Sequence, residues 1–133
     1  MKNICIGLFE GETLPESLAA FKDVKLDLEF GKVTTIYTLH QLDCEKVVVV
    51  GLGDGKKNIK EAFSKVEADD YLVYVTENTA YAAGFGLVYG AYSYKETKVY
   101  DLESDGFKDE FEKGKTVARI VNHEREMSDM PAN

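Results

Sequence analysis

The chain has 133 residues, and 16 Lys and Arg set against 24 Asp and Glu give a formal net charge of −8 at pH 7. A chain of this length suits one domain, which can bury about two-thirds of its unfolded surface without disulfide or metal staples. Its 44% hydrophobic and 30% charged residues exclude a disordered polymer, and the carboxylate excess argues against duplex nucleic acid, whose affinity for proteins comes from Lys and Arg on phosphates.

Residues 3–9 read as a short apolar strand. The run Ile4 to Phe9 is shorter than a signal-peptide core of about 7–15 residues, and Glu10 and Glu12 follow it. No segment approaches the ~20 apolar residues of a membrane span. The expectation is a soluble, cytoplasmic protein without a membrane partner, with Cys5 and Cys44 as two reduced, buried thiols.

Pro15 opens a short helical segment over 16–21, where its missing N–H costs nothing. Residues 24–30 alternate apolar Val24, Leu26, Leu28 and Phe30 with charged Lys25, Asp27 and Glu29. That period of two predicts a half-buried strand, joined through Gly31-Lys32 to a second strand over 33–39 as a β-hairpin. Val47 to Val50 are four valines without alternation, as in a strand buried on both faces. The turn Gly51-Leu52-Gly53-Asp54-Gly55 follows. Asn58 is the expected N-cap of the next helix, with Glu61 as its capping-box partner. Residues 71–75 predict another buried strand. Glu77-Asn78-Thr79 caps a helix to about Tyr94, residues 97–102 a further strand, and 107–127 a long last helix stopped by Pro131. The alternation of strand and helix after residue 45 implies parallel crossovers. The fold class expected is one three-layer α/β domain over 1–133, with a mixed, mostly parallel sheet and helices on both faces.

Candidate chemistry is sparse. The loop Gly51, Gly53, Asp54, Gly55 leaves a buried strand ahead of a helix, a place where backbone N–H groups can cradle a phosphate. It matches neither established nucleotide-binding pattern, and Asp54 puts a negative charge where the phosphate would sit; a tight turn needing positive φ explains the same glycines. The helix after Asn78 has one face of small residues (Ala80, Ala83, Gly84, Leu87, Val88, Ala91) flanked by Tyr81, Phe85, Tyr89 and Tyr92. Small residues allow deep burial, while the aromatic flank suits a partner subunit or a second domain. His40 and His123 fall on different elements without a companion ligand, and both read as surface residues. No catalytic constellation emerges, and this chain is not expected to be an enzyme by itself.

Three segments carry a resemblance. The strand and turn VVVVGLGDGKK, Val47 to Lys57, is similar to a strand ending in GLG. The stretch GLVYGAYSYKETK from Gly86 places Tyr92, Tyr94 and Lys98 where a Tyr-x-Phe and a lysine are usual, with Ser93 in place of an arginine. The end ARIVNHEREMSDMPAN, from Ala118, matches at Arg125, Pro131, Ala132 and Asn133 a linking helix that closes Arg-Asp-Leu-x-Asn-x-Pro-Ala-Asn; Glu126, Met127 and Asp129 depart conservatively. Together these resemble the N-terminal domain of the leucyl aminopeptidase (cytosol aminopeptidase) family of metallopeptidases.

The resemblance implies a macro-domain-like fold and a hydrolase parent engaged in proteolysis. In that family two divalent ions (zinc, manganese or magnesium) and the catalytic lysine and arginine belong to a C-terminal domain, around a motif reading NTDAEGR that this chain lacks. No catalytic or metal residue transfers here. The implied partners are the chain's own C-terminal catalytic domain and the neighbouring subunits of a hexamer. Arg125, Pro131 and Asn133 are the candidates at the interdomain junction, with Tyr81, Phe85 and Tyr92 at an interface. The alternative is a stand-alone macro-like module that binds ADP-ribose or a nucleotide over Gly51 to Gly55.

Overall fold

The computed structural model describes residues 2–92 and 98–128, with side chains through residue 126. Five strands form one sheet: β1 (Asn3–Leu8), β2 (Val33–Tyr37), β3 (Lys46–Gly51), β4 (Tyr71–Tyr74) and β5 (Tyr100–Leu102), in the spatial order β2-β3-β1-β4-β5. β1 is parallel to both β3 and β4, and β4 to β5, while β2 runs antiparallel to β3. The helices are α1 (Ile59–Phe63), α2 (Ala80–Gly90) and α3 (Lys108–Ser128). This is the mixed, mostly parallel three-layer α/β fold that the alternation implies.

The valine run shows why the sheet has two dry faces. Val48 and Val50 enter one core with Cys5, Phe63, Val73, Leu87 and Phe111. Val47 and Val49 enter the opposite core with Ile4, Ile6, Leu18, Phe21 and Ile36. Each buried valine contributes about 1.5–3 kcal/mol relative to exposure. The two layers differ in thickness. The first core lies under the α-helices; the second is roofed by the 3₁₀ helix Glu16–Phe21 and by Leu14, Leu26, Leu28 and Leu42 from irregular chain.

The expected hairpin does not form. Residues 24–30 make no ladder with β2. Their alternation does set the burial from Lys25 on, because Leu26, Leu28 and Phe30 turn inward and Lys25, Asp27 and Glu29 outward, but Val24 stays exposed. Their backbone, however, wraps the end of β3. The Gly53 N–H donates to the Leu28 carbonyl (3.0 Å), the Gly31 N–H to the Gly51 carbonyl (3.0 Å) and the Gly51 N–H to the Lys32 carbonyl (2.7 Å). Gly51 allows this crossing, since a Cβ there would stand 2.3 Å from the Glu29 oxygen and 2.8 Å from the Leu28 carbonyl carbon. Hydrogen bonding to the β3 terminus replaces pairing with β2.

Two helix ends also differ from expectation. Asn58 does cap α1, but its Oδ1 accepts from the Lys60 N–H (3.2 Å), while the Glu61 N–H donates to the Asn58 carbonyl. α2 ends at Gly90 rather than near Tyr94, which lies outside the described residues. Its last carbonyls are shared between the following turn and α3: the Ala91 N–H donates to Val88 O (3.2 Å) and the Tyr92 N–H to Tyr89 O (3.3 Å), while Asn122 Nδ2 donates to Val88 O (2.9 Å) and the Arg125 guanidinium to Tyr89 O (3.3 Å). A helix terminus closed partly by side chains of another helix carries only a weak local stop signal.

The small residues of α2 serve close helix packing on two sides. A Cβ on Gly84 would lie 2.2 Å from Phe111 O, and one on Gly114 would lie 2.2 Å from Tyr81 O, so α2 and α3 touch backbone to backbone. A Cβ on Gly90 would lie 2.3 Å from Ser64 O just after α1.

Candidate functional site

In open parallel α/β sheets, ligands bind outside the carboxyl ends of the strands. Here that end comprises Phe9 and Glu10 after β1, Gly51 to Lys57 after β3, and Val75 to Thr79 after β4. The glycines have the conformations expected of a tight turn, with φ +65° at Gly53 and +85° at Gly55. The donors are mostly spent inside the fold. The Leu52 N–H donates to Leu8 O (2.9 Å) and the Glu10 N–H to Gly53 O (2.9 Å), besides the Gly51 and Gly53 bonds above. The Lys56 N–H donates to the Asp54 carboxylate (3.0 Å), the Phe9 N–H to Glu12 Oε1 (2.7 Å) and the Thr76 N–H to Thr79 Oγ1 (2.8 Å). Lys56 Nζ lies 3.9 Å from Asp54, and Lys57 stands over the Phe30 ring at 5.3 Å. Asp54 thus fills the anion's place, and α1 is only five residues long, so its dipole adds little.

The aromatic flank is the more organised feature. Tyr81, Phe85 and Tyr89 stack one turn apart along α2, with centroids 6.4 and 5.6 Å apart and rings within 20° of parallel. The spacing of four residues puts them in one row. Lys60 of α1 stands 4.8 Å from the Phe85 centroid. Arg125 of α3 lies between Tyr89 (4.2 Å) and Tyr92 (4.1 Å), with its guanidinium also on Asn122 Oδ1 (3.1 Å). A planar guanidinium between two rings is held both by cation–π attraction and by stacking. The sequence-derived candidates Tyr81, Phe85, Tyr92 and Arg125 are therefore brought together, where α3 nears its end. Pro131 and Asn133 lie outside the described residues. Sequence reasoning missed Lys60 and Asn122, which come from different elements and carry no motif.

At the opposite end of the sheet an open groove is lined by Lys2, Asn3, Asp43, Glu45, Asp69 and Asp70. Two of its carboxylates are engaged: Asn3 Nδ2 donates to Asp69 (3.1 Å), the Val99 N–H donates to Asp70 (2.8 Å), and Lys46 lies 3.6 Å from Asp69. Among the described residues no three His, Cys, Asp or Glu side chains come together as metal ligands. His40 and His123 are both exposed. Cys5 and Cys44 are free and buried in the two different cores. Burial pushes the Cys5 thiol up to about 12 and raises the Cys44 thiol as well, leaving both as poor nucleophiles near neutrality. Among the described residues no helix is long and apolar enough to cross a membrane.

No protein-family model matches the chain, and no curated protein sequence matches it. A likeness does appear among solved structures. The chain superposes on the bottromycin maturation enzyme BotP in complex with Mn, with a TM-score of 0.67 and 15% identity. The match covers 98% of this chain and 32% of BotP, so the chain spans about a third of that protein's length. At this identity the likeness establishes a shared fold.

Proposed function

We propose that this chain is the non-catalytic N-terminal domain of a cytosolic, metal-dependent leucyl aminopeptidase, shaped to contact a C-terminal catalytic domain and neighbouring subunits of a hexamer. The observation that carries the reading is the fold match: nearly the whole chain corresponds to about a third of BotP, a larger enzyme whose structure holds Mn. The three sequence segments resembling the aminopeptidase family point the same way. On this reading the paired divalent ions, zinc, manganese or magnesium, belong to the other domain, where they polarise the peptide carbonyl and lower the pKa of the attacking water. The row Tyr81–Phe85–Tyr89 with Arg125 and Tyr92 is the face offered to that domain, close to where α3 leads the chain onward. Aromatic and arginine side chains are those enriched at interface centres.

The test has two arms. Incubated with leucine p-nitroanilide and manganese, the 133-residue chain should show no turnover above a metal-free blank, whereas the protein encoded by the complete reading frame should hydrolyse it. Turnover by the 133-residue chain refutes the reading, and so does a complete reading frame with no domain beyond residue 133. ADP-ribose binding over Gly51 to Gly55 is the competing reading, and the spent donors of that loop weigh against it.

A further inference from the structure

We infer that the outer edge of β2 is a self-pairing surface, on which a second copy of this chain adds its own β2 antiparallel across a two-fold axis at Thr35. The inference stands apart from the aminopeptidase reading and uses another surface. Among the described residues β2 is an edge strand, paired on one side to β3 in the register Val33↔Val50 to Tyr37↔Lys46. The Lys32 and Thr38 backbones face the β3 side, the Gly51 N–H donating to Lys32 O and the Thr38 N–H to the carbonyl of Glu45 just before β3. By the alternation of an antiparallel ladder, the N–H and C=O groups of Val33, Thr35 and Tyr37 then point outward.

Edge strands are usually blunted by charge, proline or brevity. The other edge of this sheet obeys: β5 has three residues, and its Asp101 is ion-paired with Lys2 at 3.0 Å. β2 does not. Residues 33–39, Val-Thr-Thr-Ile-Tyr-Thr-Leu, hold neither charge nor proline. Tyr37 is 67% exposed and Leu39 78% exposed. Leu39 and His40 have φ +49° and +73°, and the Gln41 N–H donates to Thr38 O (2.9 Å), closing a turn that holds Leu39 outward. Such backbone is uncommon for a branched side chain and costs energy to maintain.

Charge and register select the occupant. Two chains of −8 repel wherever carboxylates face each other, so an uncharged strip is where they can approach. Antiparallel pairing about Thr35 sets Thr35 opposite Thr35 of the second copy, and Val33 opposite Tyr37 in both directions. Thr–Thr and aromatic–β-branched pairs are favourable cross-strand neighbours. Three hydrogen-bonded pairs supply about six new backbone bonds. A five-residue strand pair is a small interface, so the dimer should be weak and form only at high chain concentration.

Sedimentation velocity on the 133-residue chain, from about 5 µM to about 1 mM, tests this, together with amide hydrogen exchange at both limits. The expected result is a concentration-dependent dimer with selective slowing of exchange at Val33, Thr35 and Tyr37. Thr35→Lys sets two ammonium groups on the axis and should weaken association at least about tenfold. Tyr37→Lys should do the same, and Ile120→Lys at an exposed position of α3 should leave it unchanged. A chain that stays monomeric throughout overturns the inference. So does a dimer indifferent to both β2 substitutions, or one whose exchange protection falls elsewhere.

Discussion

The contact between α2 and α3 is reciprocal, and this makes Gly84→Ala a demanding test of the packing. In an unconstrained helix, replacing Gly by Ala gains about 1 kcal/mol from propensity. Here the new methyl group would stand 2.2 Å from Phe111 O and 3.2 Å from Lys115 N. Ordinary contact begins near 3.4 Å, so the helices must separate by about 1 Å. A gap of that size forfeits a quarter to a half of each dispersion contact along the seam, including those of fully buried Phe111 and Ala83. Over-packing of this kind costs about 1–3 kcal/mol, and the backbone-to-backbone clash places this site at the upper end. Subtracting the propensity gain leaves a net loss of about 2 kcal/mol, or roughly 6–10 °C in Tm for a domain of this size. Urea unfolding followed by circular dichroism measures it. Gly114→Ala meets Tyr81 O at 2.2 Å from the opposite side and should cost a similar amount. Once either substitution has parted the helices, the second should cost less, so the double variant should be less destabilised than the sum. Gly106→Ala has nothing within 4 Å and serves as the control. If Gly84→Ala is as stable as the parent chain, the backbone contact is not what holds α3 in place.

Arg125→Gln removes a guanidinium stacked between two rings and bonded to Tyr89 O; thermal unfolding should show a loss of about 1–2 kcal/mol, and Arg125→Lys should recover only part of it. Alkali should destabilise the fold. Burial raises Cys5 from 9.0 and Tyr100 from 10.0 to about 12 each, so the folded state holds these protons more tightly than the unfolded one. That stability is whole below about pH 9 and is lost as the pH rises toward about 12, with a slope of up to about 1.4 kcal/mol per pH unit for each group; urea midpoints that stay flat over this range would contradict the assignment. Cys5 should resist a thiol-specific disulfide reagent in the native chain and react once urea unfolds it. Gly53→Ala combines a φ of +65° with a Cβ 3.0 Å from that of Phe30 and should cost about 1–2 kcal/mol by chemical denaturation. Calorimetric titration with millimolar ADP-ribose should give no heat, given the donors already spent at that loop.

The buried strands and the layer order were legible because they rest on local pattern: four valines in a row admit little else than a strand with two dry faces. The 24–30 segment shows where pattern stops. Its alternation correctly separates Leu26 and Leu28 from Lys25 and Asp27, yet period two fixes which side chains turn inward and not which backbone they bond. The deciding fact was the bare Cα of Gly51, twenty-odd residues further along. The site divides in the same way. Tyr81, Phe85 and Tyr89 lie in one row by helical spacing alone, so the aromatic flank could be read directly. That Arg125 slots between Tyr89 and Tyr92, and that Asn122 closes the end of α2, depends on how two glycines set the crossing of α2 and α3. No spacing rule within one helix contains that information.

The place of β1 in the sheet bears on how the molecule comes into being. The first strand of the sheet is its middle one, flanked by β3 and β4. Ile6 pairs with Val49 on one side and Tyr74 on the other, so its second neighbour arrives about 70 residues after it. At ribosomal speeds of about 5–20 residues per second, this central strand waits roughly 3–14 s for its second flank. During that interval β1 has no β4 edge to join, and its Cys5 face has no α-helical roof. Folding is therefore a late, collective closure around β4 rather than a gradual accretion from the N-terminus, and the nascent chain is most open to chaperones in that window.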